Sequence, residues 1–290
     1  MIANNETMIV VPLTSFNYCI IVNMYLEHFG FKKMPFENLC EREFFFESEN
    51  HREAYSRISF VIESKKTLAV LYGPYGTGKT FILKAIESDY SKKNYIFSYL
   101  SNPSLDETGI LKMITYNFVN FRMPDSKTDI LISLEKFLKD THRDGKHCVV
   151  MIDEAQNIES EKVFEELRML LNFEINSKPI ITIIIAGQSE LSNRISSNKQ
   201  FLQRVFLSYE LKPFSKEETK EYVIHRLKVA GNEKVFEEDC FDILYELSGG
   251  IARWINNISS MSLLCAFNKN LSKVNADIVR EAYSSIKGEI

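Results

Sequence analysis

Residues 72–80 read Tyr72-Gly73-Pro74-Tyr75-Gly76-Thr77-Gly78-Lys79-Thr80, which has the spacing G-x-x-x-x-G-K-T of a phosphate-binding loop. In such a loop the backbone N–H groups surround a phosphate, and glycines permit the positive φ angles that the wrapped chain needs. An apolar run with β character, 67–72, leads into the loop, and an apolar helical pattern, 81–86, follows it. This strand–loop–helix context predicts a nucleotide site and disfavours the alternative, a glycine-rich turn without a ligand.

The loop positions have distinct expected contacts with a nucleotide. Lys79 would place its ammonium group against the β- and γ-phosphates, and the Thr80 hydroxyl would ligate Mg²⁺. The helix that opens after Gly78 adds an N-terminal dipole that favours anions. We therefore expect ATP and Mg²⁺ as ligands, held by the successive residues Gly73, Pro74, Tyr75, Gly76, Thr77, Gly78, Lys79 and Thr80.

A second motif is the apolar run 148–152 followed by Asp153 and Glu154. Five consecutive apolar residues predict a parallel strand that is buried on both faces. Ligands bind at the carboxyl edge of open α/β sheets, which is where the two acids would lie. We expect Asp153 to hold Mg²⁺, and Glu154 to orient and deprotonate the attacking water. The alternative is a strand that ends in solvated acids, and the phosphate loop upstream disfavours it.

Strand and helix patterns alternate along most of the chain. The order predicts an α/β fold of the P-loop NTPase type, with a five-stranded, mostly parallel sheet sandwiched by helices. The expected strands lie near residues 67–72, 94–100, 148–152, 179–186 and 205–211.

The two ends of the chain read differently from its middle. From Pro213 onward no strand pattern remains, and four helices are expected to form an all-helical lid. Residues 1–23 contain apolar runs but no preceding basic residue, which fits neither a signal peptide nor a membrane anchor. We expect a poorly ordered extension, 1–23, then a nucleotide-binding α/β domain, 24–212, and the lid domain, 213–290.

The composition narrows the function only slightly. The net charge is −4 and the isoelectric point about 5.9, so charge neither supports nor excludes nucleic-acid binding. The five cysteines are widely spaced and form no C-x-x-C pair. They are expected to be small buried residues in a reducing cytoplasm rather than disulfides or zinc ligands. The sequence predicts no transmembrane segment.

The order of these motifs resembles the AAA+ ATPases. It is similar in detail to the branch with the ExeA/GspA-type secretion ATPases, the TniB, TnsC and MuB transposition ATPases and the ORC-like AAA domains. Besides the phosphate loop, the segments that carry the resemblance are 24–30, Pro35-Phe36, His51-Arg52-Glu53-Ala54, Asp153-Glu154-Ala155-Gln156-Asn157, 186–191 and 248–253.

The resemblance implies roles for residues outside the two main motifs. Gln188 matches the sensor-1 position, which the strand-end context alone leaves open between a phosphate contact and a turn residue. Arg253 matches sensor 2 on the lid, although its neighbours Ala252 and Trp254 depart from the usual Pro and aliphatic residue.

Two further roles follow from the resemblance. Arg204 matches the arginine finger that reaches the nucleotide of a neighbouring subunit, with Arg194 the weaker candidate. The chain would then be a homo-oligomer, as a ring or filament. His51 and Arg52 match the adenine side of the pocket; without the resemblance they would be read as a solvated helix start.

The first expectation for function is an oligomeric ATPase switch that acts on DNA and a transposase or recombinase. Secretion-type members often continue into a membrane helix and a peptidoglycan-binding domain, and because this sequence ends at Ile290 we expect the stand-alone type. The first alternative is an ATPase of a secretion or envelope-assembly system. The second is an ATP-gated interaction module with little hydrolysis.

Overall fold

The computed structural model describes residues 15–120 and 126–288, with side chains from residue 21 onward. The helices are α1 Ser15–Phe29, α2 Glu49–Glu63, α3 Lys79–Tyr90, α4 Glu107–Val119, α5 Lys127–Arg143, α6 Glu161–Leu170, α7 Ser189–Ser197, α8 Lys199–Leu202, α9 Lys216–Ala230, α10 Cys240–Ser248, α11 Ala252–Asn268 and α12 Ala276–Lys287. The strands are β1 Leu68–Tyr72, β2 Tyr95–Leu100, β3 His147–Ile152, β4 Glu174–Ile175, β5 Lys178–Pro179, β6 Ile181–Gly187 and β7 Val205–Glu210. Short 3₁₀ turns cover Arg42–Phe44 and Ala155–Asn157.

Five strands form one sheet in the order β2-β3-β6-β1-β7, and every pair in it is parallel. The prediction of a five-stranded α/β sheet is therefore confirmed. Strands β4 and β5 form a separate antiparallel hairpin that the sequence patterns did not predict. Its tight turn places Asn176 and Ser177 at positive φ, as a two-residue hairpin loop requires.

The sheet is buried on both faces, which explains the apolar runs in the sequence. Every residue of β3 and of β6 is buried. Alternate side chains of β1 enter two different cores, with Leu68 and Val70 on the face of α4–α8, and Ala69 and Leu71 on the face of α2 and α3. The helices therefore sandwich the sheet, as a parallel sheet requires.

The four helices predicted after Pro213 are present as α9–α12. Ser215 and Glu218 form a reciprocal capping box at the start of α9, which satisfies two otherwise unpaired backbone donors. Asn275 caps α12 by accepting from the backbone N–H of Ile278 at 3.1 Å. These helices share a third hydrophobic core, separate from the two that cover the sheet.

The structure differs from the expected poorly ordered extension over residues 1–23. Helix α1 begins at Ser15, so residues 15–23 are helical, while residues 1–14 lie outside the described part of the chain. Aromatic side chains of α1 and the segment after it pack into the core of the lid helices, not against the sheet. Tyr25 and Phe29 of α1, and Phe31 and Phe36 after it, are all buried in this core.

Candidate functional site

Three neighbouring strands deliver the predicted motifs to one edge of the sheet. In the register of β1 and β6, Tyr72 pairs with Gly187, and in that of β3 and β6, Ile152 pairs with Ile185. The phosphate loop, the acids after β3 and the residue after β6 therefore follow strand ends that lie side by side. This is the edge at which open α/β sheets bind ligands.

The phosphate loop has a conformation that depends on its glycines. Gly73, Gly76 and Gly78 have φ angles of 153°, 83° and 102°. A Cβ at Gly73 would lie 2.2 Å from the carbonyl oxygen of Leu211, and one at Gly78 would lie 2.9 Å from Nε2 of His51. The first N–H groups of α3, which follows at once, have no partner within the helix and can bind an anion. The loop therefore fits a phosphate group.

Lys79 is buried, and its ammonium group lies inside this loop. Its Nζ donates to the carbonyl oxygens of Gly73 at 2.9 Å and Pro74 at 2.8 Å. Burial lowers the pKa of Lys79, and the nearby acids Glu154 and Asp153 partly offset that effect. The loop carbonyls thus hold a cation at the N-terminus of α3, where it can attract phosphate oxygens.

Asp153 is buried, and both of its carboxylate oxygens accept hydrogen bonds. Its Oδ2 accepts from the Thr80 hydroxyl at 2.6 Å and from the Tyr99 hydroxyl at 2.9 Å, and its Oδ1 accepts from the backbone N–H of Glu154 at 2.9 Å. A hydroxyl beside a carboxylate is an all-oxygen donor set of the kind that Mg²⁺ prefers. Thr80 and Asp153 would therefore hold the ion. Tyr99 was not predicted, although its place at the end of β2 could have indicated it.

A narrow cleft of about 170 Å³ lies between the phosphate loop and the lid. Arg253 spans it at the start of α11: its guanidinium lies 4.4 Å from the Tyr75 ring centroid and donates to the Tyr75 hydroxyl. The Arg253 backbone N–H donates to the carbonyl oxygen of Gly76 at 3.1 Å. The lid thus rests on the phosphate loop. The cleft is lined by Asn38, Leu39, Cys40, Tyr75, Gly76, Gly78, Lys79, Thr80, Phe81, Glu154, Tyr222, Arg226, Ala252, Arg253 and Asn256.

His51 and Arg52 do not line this cleft. His51 is buried, donates through Nε2 to the carbonyl oxygen of Thr77 at 2.9 Å and accepts at Nδ1 from the Ser48 hydroxyl at 2.8 Å. Burial lowers the pKa of His51, which keeps the ring neutral for these two bonds. The His51 side chain therefore supports the phosphate loop from behind, and Arg52 is exposed. An adenine contact of either residue stays a prediction.

The irregular segment before α2 contributes Asn38, Leu39 and Cys40 to the lining of the cleft. Asn38, which lines the cleft, accepts from Nδ2 of Asn256 at 2.9 Å, and the Tyr222 hydroxyl donates to Oδ1 of Asn256 at 2.8 Å. Arg226 donates to the carbonyl oxygens of Pro35 at 2.6 Å and Glu37 at 2.7 Å. This polar network joins the segment to α9 and α11. No sequence pattern indicates it, because its members are far apart along the chain.

The two candidate arginine fingers have different surroundings. Arg204 is exposed, and its Nη2 donates to Oδ1 of Asn172 at 2.8 Å. It precedes β7 at Val205, which pairs with Leu68 at the start of β1, so Arg204 lies at the edge opposite the phosphate loop. Arg194 instead pairs with Glu161 of its own chain at 2.8 Å. Of the two, Arg204 is the exposed one, and its role as an arginine finger stays a prediction.

Gln188 follows β6, next to the phosphate loop, as expected for the sensor-1 position. Its backbone N–H donates to Oε1 of Gln156 at 2.9 Å, and it occupies the N-cap position of α7 without a side-chain capping hydrogen bond. Its side chain is half-buried and does not line the cleft. A role for the Gln188 amide therefore stays a prediction.

Within residues 15–120 and 126–288, no helix has the length and apolar character needed to cross a membrane. Residues 62–195 match the AAA domain family. Over 280 aligned residues the chain is 33% identical to General secretion pathway protein A of Aeromonas hydrophila, covering 92% of this chain and 50% of that protein. The chain therefore spans half the length of this relative.

Solved structures share the fold at low sequence identity. The ORC2 protein of Aeropyrum pernix, in ADPNP–ADP complexes, has a TM-score of 0.66 and 17% identity over 90% of this chain and 73% of its own. Drosophila ORC bound to DNA has a TM-score of 0.65 and 14% identity over 100% of this chain and 71% of its own. The family match and this relative show that the chain belongs to the AAA+ ATPases, in the branch that includes General secretion pathway protein A.

Proposed function

We propose that this chain binds ATP with Mg²⁺ and hydrolyses it as an oligomeric switch. The observation that carries the proposal is the cluster formed by Lys79, Thr80, Asp153 and Glu154 at one sheet edge, with Thr80 Oγ1 only 2.6 Å from Asp153 Oδ2. A phosphate loop could bind a nucleotide without these acids. The acids add a metal site and a base, which hydrolysis requires.

Each residue of the cluster has a distinct task in this proposal. Lys79 and the loop N–H groups hold the phosphates, and Thr80 and Asp153 hold the magnesium ion, which neutralises phosphate charge when bound. Glu154 lines the cleft, where its carboxylate can orient a water and accept its proton. Arg253 lies on the lid, where its guanidinium contacts Tyr75. In the proposed cycle it leaves Tyr75 to pair with the terminal phosphate, through a movement of the lid or of its side chain alone.

Arg204 makes the activity depend on assembly in this proposal. Because Arg204 is exposed at the sheet edge opposite its own phosphate loop, it would complete the site of a neighbouring copy. An arginine finger raises the rate of related nucleotide hydrolysis by about 10³–10⁵-fold. An isolated subunit should consequently turn over ATP slowly.

A mixing experiment tests that dependence. Subunits with Arg204→Ala keep their own site but supply no finger, whereas subunits with Glu154→Gln supply a finger but have no base. Each variant alone should be inactive, and an equal mixture should regain turnover at the mixed interfaces. Arg143→Ala, at an exposed residue of α5, is the matched control and should behave like wild type. A mixture as inactive as its components would contradict action between subunits.

The partner can be argued in two ways. The relative General secretion pathway protein A supports a partner in a secretion or envelope-assembly system. The resemblance to transposition ATPases supports DNA with a transposase or recombinase, and ORC proteins of the same fold include one solved while bound to DNA. Both partners are proposals. A cytoplasmic location, expected from the five dispersed cysteines, is a proposal as well.

The deciding experiment is ATP turnover at low salt, with and without double-stranded DNA. Stimulation by DNA that disappears with Lys79→Ala would favour the DNA partner, whereas turnover indifferent to DNA would favour a protein partner of the secretion type. Glu154→Gln should retain ATP binding and lose turnover. If wild type is as slow as Glu154→Gln even when assembled on a partner, the ATP-gated interaction module replaces the hydrolase. Lys92→Ala, on an exposed surface beyond α3, controls for the loss of a charge.

A further inference from the structure

Gln156 lies between the proposed base and the end of β6. The chain leaves β3 at Asp153, passes through Glu154 at a positive φ of 51°, and enters a single 3₁₀ turn over Ala155–Asn157. That turn brings the Gln156 side chain back across the sheet edge. Its Nε2 donates to Oε2 of Glu154, and its Oε1 accepts from the backbone N–H of Gln188 at 2.9 Å.

The two partners fix the orientation of the Gln156 amide. The backbone N–H of Gln188 can only donate, so it must face the amide oxygen. An ionised Glu154 carboxylate can only accept, so it must face the amide nitrogen. A flipped amide would lose both hydrogen bonds at once. The side chain is therefore a directional link from the end of β6 to the carboxylate.

The surroundings hold this link in place. Gly187 leaves room for it, because a Cβ there would lie 2.9 Å from Oε1 of Gln156 and 3.2 Å from its backbone nitrogen. On the other side, Arg194 of α7 donates to the backbone carbonyl oxygens of Gln156, at 3.5 Å, and Ile158. Arg194 is itself paired with Glu161 at 2.8 Å. Arg194, the weaker of the two finger candidates, thus stabilises the turn that carries Gln156.

We propose that Gln156 is a positioning residue that orients the Glu154 carboxylate and ties that orientation to the junction of β6 and α7. The proposal rests on the proposed ATP hydrolysis, in which Glu154 is the base. A glutamate side chain without a partner would divide its time among several rotamers. A donor on one carboxylate oxygen restricts them and leaves Oε1 for the water. Because α7 follows Gln188 directly, a displacement of α7 would move the amide and with it the base.

Two substitutions separate this role from a purely structural one. Gln156→Met keeps the length of the side chain and removes both hydrogen bonds. Gln156→Glu keeps an acceptor for the Gln188 N–H but replaces the donor to Glu154 with a second carboxylate, which repels the first. Asn157→Ala is the matched control, because Asn157 is an exposed neighbour on the same turn.

The experiment compares these full-length variants by ATP affinity, kcat and KM at pH 8, and by hydrogen exchange of the Gln188 backbone amide. Outer partners of an active-site ligand typically contribute about 10–100-fold to activity. We expect kcat to fall by about that factor in both Gln156 variants, with ATP affinity and KM within about twofold of wild type. Exchange at Gln188 should be about tenfold faster in Gln156→Met and near wild type in Gln156→Glu, since only the first loses the acceptor.

The outcomes separate this proposal from the proposed function. If Gln156→Glu turns over ATP like wild type, the donor to Glu154 is unnecessary and the positioning role is wrong. Equal exchange of the Gln188 amide in wild type and Gln156→Met would overturn the link itself, whether or not wild type hydrolyses ATP. Lack of turnover by assembled wild type would overturn the proposed function, and the exchange measurement would still decide whether the link exists.

Discussion

The Tyr99 hydroxyl is a second hydrogen-bond donor on the oxygen of Asp153 that Thr80 also contacts. The two hydroxyls share Oδ2, at 2.9 Å from Tyr99 and 2.6 Å from Thr80. If Thr80 turns toward Mg²⁺, Tyr99 is the side-chain donor that continues to orient this carboxylate. Burial and the nearby Asp153 charge raise the pKa of Tyr99, so its hydroxyl keeps its proton at neutral pH. Tyr99 is therefore an outer support of the proposed metal site.

Tyr99→Phe should weaken Mg²⁺ binding without removing ATP turnover. Loss of an outer hydrogen bond to a metal ligand typically costs about 10–100-fold in metal affinity. We expect the Mg²⁺ concentration for half-maximal turnover to rise by about tenfold, with kcat at saturating Mg²⁺ within about threefold of wild type. Tyr95→Phe, at the other end of β2, is the control and should leave the Mg²⁺ titration unchanged. An unchanged titration in Tyr99→Phe would show that Thr80 and the Glu154 N–H suffice.

The parts of the site that the sequence revealed are contiguous in the chain. The phosphate loop, Asp153 and Glu154 are read from short spacings, and the structure brings them together because parallel strands end at one edge. Tyr99 and Gln156 lie near the ends of β2 and β3, but their roles depend on contacts with Asp153 and Gln188 of other segments, which spacing along the chain does not reveal. His51 shows the reverse case, since the resemblance indicated an adenine contact that spacing could not test, whereas its side chain donates to the carbonyl oxygen of Thr77 in the loop.

At the scale of elements, the turn between α10 and α11 packs against the segment that enters the lid at Phe214. Gly249 and Gly250 both have positive φ, at 60° and 74°. A Cβ at Gly250 would lie 2.0 Å from the backbone carbonyl oxygen of Phe214, whereas nothing lies within 4 Å of one at Gly249. The backbone N–H of Phe214 also donates to the carbonyl oxygen of Gly250 at 2.9 Å. Both positions therefore strain the backbone of any other residue to a similar degree, but only Gly250 has no room for a side chain.

Gly250→Ala and Gly249→Ala form a matched pair that tests this difference. Both pay about 1–2 kcal/mol for a left-handed alanine. Only Gly250→Ala must also displace the Phe214 backbone, so we expect it to lower the free energy of unfolding by about 1–3 kcal/mol more than Gly249→Ala, as overpacking that forces a backbone shift typically does. Urea unfolding followed by the fluorescence of Trp254, the single tryptophan, measures both. Equal losses would mean that the turn shifts without cost.

His147, at the start of β3, is buried in a site that disfavours its charged form. The Thr182 hydroxyl donates to the carbonyl oxygen of Lys66 at 2.7 Å, so it accepts from Nε2–H of His147 at 2.8 Å. Nδ1 then carries no proton in the neutral ring, and it has no hydrogen-bond partner among the described residues. Burial, with minor repulsion from Lys65 and His142, lowers the pKa of His147 to about 4.

This pKa predicts a loss of stability in mild acid. Between pH 6.5 and about 4, His147 is protonated in the unfolded chain but neutral in the folded chain. The free energy of unfolding therefore falls as the pH falls. The difference between the two pKa values corresponds to about 3 kcal/mol. From pH 7 to pH 4 the free energy of unfolding of wild type should therefore fall by about that amount more than that of His147→Gln, which keeps a donor for Thr182. A constant difference across this range would contradict a neutral His147.

The elements differ in how well the sequence predicted them. Strands β3 and β6 are long apolar runs because both of their faces are buried, and each was predicted within about two residues. The hairpin of β4 and β5 has only two residues in each strand, too few for any alternation to appear. The start of α1 was missed because Ser15 and the mixed residues after it resemble the broken apolar runs that precede them.

At the scale of the whole molecule, the order of segments along the chain is not the order of packing. Helix α1 precedes the sheet in sequence but belongs to the core of the lid at the other end of the chain. Tyr25 lies 5.7 Å from Phe267 of α11 between ring centroids, and Lys32 N–H donates to the carbonyl oxygen of Ala230 at 2.7 Å. Such pairing cannot be read from patterns, because local periodicity shows that a face is apolar and not what covers it.

Phe29→Ala tests whether α1 stabilises the lid rather than the sheet. Phe29 is 2% exposed, and its ring lies 5.4 Å from Tyr25 and 5.7 Å from Phe31. Replacing a buried phenylalanine by alanine typically costs about 3–5 kcal/mol. Since the lost contacts are in the lid core, the Trp254 fluorescence transition in urea should move to lower concentration and precede the loss of helical circular dichroism.

Met24→Ala is the matched control for Phe29→Ala, because Met24 lies on the same helix and is 56% exposed. A surface substitution of this kind typically changes stability by no more than about 0.5 kcal/mol, so its two transitions should coincide with those of wild type. If Phe29→Ala instead moved both signals together by the same amount, the lid would not unfold separately from the sheet. The lid and the sheet domain on the two sides of the nucleotide cleft would then unfold as one cooperative unit. Any lid movement proposed for Arg253 would have to occur without local unfolding.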